Sequence, residues 1–108
     1  MDLSEGFKKL QQEYVKTIPE KIVAIEESVA ALCINPSQET LASLKHLVHK
    51  LAGSAGSFGF AEASTLCKSW DQKLTHLLEH YSQEELLGVL KEFPLFLQNL
   101  HMLLTKAA

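Results

Sequence analysis

Apolar residues recur along this chain at alternating spacings of three and four, and no segment alternates with the period of two that a half-buried strand would show. Leu3, Phe7, Leu10 and Tyr14 predict a short first helix, with Asp2 and Glu5 spaced as a capping box. Thr17 and Glu20 repeat that spacing, and Pro19 falls in a first turn, where its missing N–H does no harm. Ile18, Ile22, Ile25, Val29 and Leu32 form the stripe of this second helix. Asn35-Pro36 ends it and starts the next, with Gln38 three residues after Asn35. The third helix carries Leu41, Leu44, Val48, Leu51, Ala55 and Phe58, and Gly59 stands where a left-handed C-cap belongs. The fourth carries Ala63, Leu66 with Cys67, Trp70, Leu74, Leu77 and Tyr81. Ser82 and Glu85 open the fifth, with Leu86, Leu90, Phe93, Leu97, Leu100 and Leu104; Pro94 should kink this helix without ending it, because the stripe resumes in phase.

No Asn-Gly or Asp-Gly hairpin signal interrupts these patterns. Short connections make consecutive helices antiparallel neighbours. The expected fold is therefore all-α: an antiparallel up-down four-helix bundle with a short additional N-terminal helix on one end or side. The 108 residues make one domain, with no linker, low-complexity tract or internal repeat. Hydrophobic residues at 46 % and charged residues at 21 % are the balance of a soluble globular chain. The opening MDLSEGFKKL has an early acid and no apolar run, so it is not a secretory signal, and no stretch suits a membrane span. A cytoplasmic, free-standing, monomeric module is expected. Cys33 and Cys67 both fall within apolar helical patterns and read as buried free thiols.

The net charge of −3 is unevenly distributed. Residues 44–73 carry Lys45, Lys50, Lys68 and Lys73 against Glu62 and Asp71, while both flanking stretches are acidic. An acidic chain with a locally basic middle is a poor nucleic-acid binder and a plausible docking surface for an acidic protein partner. The chemistry-bearing residue in that middle is His49. At about 100° per residue, with His49 at 0°, the apolar residues of its helix centre near −140°, so the histidine points away from the core. On the same scale its neighbours are Ala42 at about +20°, Lys45 at −40°, Gly53 at +40° and Gly56 at −20°, flanked by His46 at about +60° and Ala52 at −60°. Each glycine costs roughly 1 kcal/mol against alanine in a helix interior, and core packing does not explain both on an exposed face. Close approach by another protein does.

The run His49-Lys50-Leu51-Ala52-Gly53-Ser54-Ala55-Gly56-Ser57-Phe58-Gly59 resembles the signature of histidine-containing phosphotransfer (HPt) domains of multistep two-component signalling. Those domains follow the histidine with an apolar residue at +2, glycine at +4, small residues, and glycine near +10, here Leu51, Gly53, Ser54 to Ser57, and Gly59. Length and helix order suit the family across nearly all of the chain. Many members carry lysine at +3, where this chain has Ala52, so Lys50 at +1 is the nearest cationic substitute.

The resemblance implies that His49 accepts a phosphoryl group from a receiver-domain phosphoaspartate and passes it to another receiver aspartate. The ordinary imidazole pKa of about 6.5 leaves an exposed ring mostly neutral near pH 7, able to attack an acyl phosphate without a separate base. Lys50 and Ser57 are expected to support the phosphoryl group. Ala42, Lys45, His46, Ala52, Gly53, Gly56 and Phe60 are expected to form the docking surface. No nucleotide loop or acidic magnesium cluster is present in the sequence; no cofactor is expected on this chain, and Mg²⁺ belongs by resemblance to the partner receiver of a response regulator or hybrid histidine kinase. The glycine-rich run lacks the Lys-Ser/Thr of a phosphate loop, and His76 with His80 lacks a Glu-x-x-His companion for a metal. A helical adaptor or inhibitor that binds receiver or kinase domains through Lys45, Lys50 and Phe60, without accepting phosphate, is the competing reading.

Overall fold

The computed structural model describes residues 2–106 and consists of five helices: α1 (Leu3–Lys16), α2 (Ile18–Ile34), α3 (Gln38–Ser57), α4 (Ala61–Glu79) and α5 (Gln83–Lys106). No strand occurs among the described residues. Helices α2 to α5 form a four-membered ring, each packed on the next, with α5 closing back on α2. The core is built from the expected stripes: Ile18, Ile25 and Leu32 of α2, Leu44, Val48 and Leu51 of α3, Cys67, Trp70 and Leu74 of α4, and Phe93, Leu100 and Leu104 of α5. Trp70 packs against both Phe93 and Phe96, with ring centroids 4.7 and 4.8 Å away, and the two phenyl rings meet edge to face at 5.6 Å. This aromatic cluster joins α4 to α5 inside the bundle.

The helix ends differ from expectation at two points. Asp2 caps α1 as expected, accepting from the Glu5 N–H at 2.8 Å. Thr17 does not cap α2: its backbone stays in the right-handed helical region and its hydroxyl donates back to the Tyr14 carbonyl at 2.7 Å. Helices α1 and α2 are thus separated by a single residue. The α3 cap is Ser37, not Asn35, because Ser37 and Thr40 satisfy each other's backbone N–H reciprocally, while Asn35 closes α2. Helix α5 continues through Pro94.

Helix α1 also departs from a simple packed element. Its Tyr14 is buried, but Leu3, Phe7 and Leu10 of the same stripe are exposed. The molecule is 52 Å long, whereas a 24-residue helix such as α5 spans only about 36 Å. Helix α1 accounts for the excess by running past the bundle end. Cys33 is exposed, contrary to the expected burial, because it follows Leu32 around the helix onto the solvent side. Tyr81 likewise falls after the end of α4 and is half exposed.

Candidate functional site

The functional face lies on α3, a 20-residue helix fixed at both ends. Its N-terminus has the reciprocal Ser37–Thr40 cap. Its C-terminus is a Schellman turn: Gly59 N–H bonds to Gly56 O at 3.1 Å, Phe60 N–H to Ala55 O at 2.8 Å, and Gly59 takes φ +84°. Tyr14 of α1 braces this end by stacking on Phe58 at 4.5 Å and sharing a 2.7 Å hydrogen bond with the Ser54 hydroxyl.

His49 stands mid-helix with its side chain 66 % exposed. Its Nδ1 lies 2.8 Å from Oδ2 of Asp71 on α4, whose side chain is only 18 % exposed. The second Asp71 oxygen, Oδ1, is buried without a hydrogen-bond partner but has the Lys45 ammonium 3.3 Å away as an ion pair. Burial pushes the Asp71 carboxyl up, but the His49 hydrogen bond and the Lys45 charge outweigh it and hold the group below the usual carboxylate value. An ionised carboxylate can only accept, so the shared proton resides on Nδ1. The ring nitrogen not engaged by Asp71 is Nε2.

The surroundings of His49 are asymmetric. On one side α4 packs closely against α3: the buried Ser64 hydroxyl donates to the Ala52 carbonyl at 2.8 Å, and a Cβ at Gly56 would come within 3.1 Å of that hydroxyl oxygen. Gly56 thus serves helix packing as well as an open face. Ala52, expected at the docking surface, is buried beneath this contact. Phe60 is buried too, because it is the apolar residue that closes the Schellman turn. Lys45, expected as a docking contact, is committed to Asp71 with 29 % of its side chain exposed. On the other side the face is open. A Cβ added at Gly53 would meet nothing within 4 Å, and Ala42, His46, Lys50 and Ser57 are exposed. Lys50 lines a shallow pocket between α2 and α3 with Lys21, Ile25, Leu47, Leu51 and Ser54.

A family model described as the Hpt domain matches residues 9–105. The chain belongs to the Hpt domain family. Comparison with curated proteins and with solved structures finds no match. Hpt domains perform histidine phosphotransfer in phosphorelays and interact with receiver domains of response regulators and hybrid kinases. In this Hpt domain no group of three metal-binding side chains occurs among the described residues, and none of its helices is long and apolar enough to cross a membrane. His76 and His80 stack loosely at 5.1 Å, with His76 Nε2 3.7 Å from a Glu85 carboxylate oxygen.

Asp71 is the partner of His49 that sequence reasoning misses, since along the chain it figures only as a charge. It is one of just two acids in the basic stretch 44–73, and that scarcity is the one signal pointing to it. The helix register that brings it to His49 is a property of packing.

Proposed function

We propose that this Hpt domain is a phosphorelay intermediate in which His49 accepts a phosphoryl group from a receiver-domain phosphoaspartate and passes it to another receiver aspartate. The observation that carries the reading is the 2.8 Å His49–Asp71 hydrogen bond on an otherwise open helix face. It fixes the ring orientation and tautomer while leaving Nε2 to solvent.

In the forward step the Nε2 lone pair attacks phosphorus and the P–O bond to the receiver carboxylate breaks, its electron pair leaving with the carboxylate. The phosphorylated ring keeps its Nδ1 proton and gains positive charge, which the Asp71 carboxylate faces. Transfer onward is the reverse with a second carboxylate. Asp71 acts through the histidine and is a positioning residue. Lys50 and Ser57 are the groups available to offset phosphoryl charge, with Ala42, His46 and Gly53 as docking surface. Mg²⁺ is supplied by the partner receiver, and the domain works as a cytoplasmic monomer.

A receiver domain carrying labelled phosphoaspartate is expected to label this protein with an acid-labile bond, and the His49→Gln variant should remain unlabelled. Normal labelling of that variant would overturn the assignment. Tight receiver binding with no transfer in either direction would make the chain an adaptor.

A further inference from the structure

Lys45 is placed unlike the other cations of the functional face. Lys50 and Lys68 are exposed, and Lys21 reaches the α2–α3 pocket but donates to the Thr17 hydroxyl at 2.7 Å. Lys45 alone among them is paired with Asp71, at 3.3 Å from the oxygen that His49 does not use. The charged groups around this pair can be named element by element. Helix α3 supplies Lys45, His46 and Lys50, and α4 supplies Lys68 and Asp71. Helix α2 supplies Lys21. Helix α5 engages α4 elsewhere, through Lys73–Glu92 and His76–Glu85.

A carboxylate at 2.8 Å from one ring nitrogen has two opposing consequences. It fixes the useful tautomer, and it favours uptake of a second proton, because an opposite charge stabilises the imidazolium. That second proton would sit on Nε2 and occupy the lone pair that attacks phosphorus. A cation on the far oxygen opposes only the second effect: it leaves the Nδ1–H···Oδ2 bond in place and repels added positive charge on the ring.

We propose that Lys45 is a positioning residue that acts through Asp71, holding the carboxylate to the histidine while keeping the second proton off Nε2 at neutral pH. The proposal rests on His49 being the phosphoacceptor. It separates Lys45 from Lys50: Lys50 belongs to the phosphoryl group or the partner, Lys45 to the state of the ring.

The test uses Lys45→Met, Lys45→Arg and the double variant Lys45→Met/Asp71→Asn, with transfer from a labelled phosphoreceiver measured from about pH 6 to about pH 8.5, a range that brackets the imidazole titration. Lys45→Met is expected to lose about threefold or more in rate at the acidic end and to converge on the parent at the basic end, with Lys45→Arg restoring the parent profile. In the unphosphorylated chain, NMR titration of the His49 ring should move to higher pH in Lys45→Met, and back in the double variant. An equal fractional loss at every pH would make Lys45 a direct phosphoryl or partner contact and overturn the proposal. So would a ring titration that does not move. The NMR arm needs no phosphotransfer, so failure of the phosphoacceptor reading, seen as normal labelling of His49→Gln, is recognised separately.

Discussion

Gly53 offers a substitution in which stability and function should move in opposite directions. It lies in the interior of α3, and a Cβ added there meets nothing within 4 Å. Gly53→Ala therefore removes the helix penalty of glycine without a clash, a gain of about 1 kcal/mol. Unfolding entropy of about 2.1 cal/mol/K per residue gives roughly 0.23 kcal/mol/K for a chain of this length, so Tm should rise by about 4 °C. Gly53→Leu should gain nearly as much, since leucine is also a good helix former. Its side chain, however, leans toward the helix N-terminus and onto the residue four positions earlier, which is His49. Under the proposed function, bulk there stands in the path of an incoming phosphoaspartate, and a displacement of the reacting atoms by about 1 Å can cost on the order of a hundredfold. Gly53→Leu is thus expected to melt higher and transfer at least about tenfold more slowly. Gly56→Ala is the internal control: its new methyl presses on the Ser64 hydroxyl, which is anchored to Ala52, so its gain should be smaller or negative. Circular-dichroism melting and single-turnover transfer read both effects. Unchanged transfer by Gly53→Leu would show that the open face is not where the partner docks; a lowered Tm for Gly53→Ala would show that the glycine serves the fold.

Three further outcomes follow from the packing and the ion pair. The Asp71 carboxyl titrates below its ordinary value in the folded chain, so its stabilisation is complete above the unfolded carboxylate range and fades as pH falls through the lowered folded value. The stability difference between parent and Asp71→Asn, from urea melts, should accordingly be full at about pH 5 and shrink on acidification; a difference that grows in acid contradicts the charge arrangement. Trp70→Ala empties the space beside Phe93 and Phe96 and should cost about 3–5 kcal/mol, a large share of a typical domain's stability, read as a drop in the urea midpoint. Burial pushes the Cys67 thiol up to about 12, so a thiol reagent at about pH 8 should modify only the exposed Cys33 in the native protein and both cysteines in denaturant. Two equally fast thiols in the native state would mean that α4 opens readily.

The bundle is legible in the sequence because its signal is local and periodic. Stripes such as Leu44, Val48 and Leu51 name their own buried face, and Gly59 names the end of α3. What misleads is local as well. The stripe of α1 has a good helical period, yet periodicity states only which face is apolar; whether anything lies opposite depends on chain length, and α1 outruns the bundle on the N-terminal side of Phe7, whose ring still lies beside Gly59, while the Gln11 side chain reaches the Phe58 carbonyl. Capping spacings are ambiguous wherever two candidates stand close together. Ser37 prevails over Asn35 because Thr40 completes a reciprocal pair with it, and Thr17 is lost as a cap because its hydroxyl finds the Tyr14 carbonyl first.

The site divides along the same line. The outward direction of His49 follows from helix angles alone, and so does the clearing at Gly53. Angles on one helix do not say how near the next helix comes. The close approach of α4 at Gly56 and Ser64 buries Ala52, which lies only about 60° from His49, and leaves Gly53 open on the other side. That same approach sets the register that delivers Asp71 to Nδ1 and draws Lys45 down onto the second oxygen. The α3–α4 packing thus decides which nitrogen of the histidine is engaged by a carboxylate and which lysine is paired with it. The glycine expected on the docking face, Gly56, is in structural terms also where α4 comes close, through Ser64.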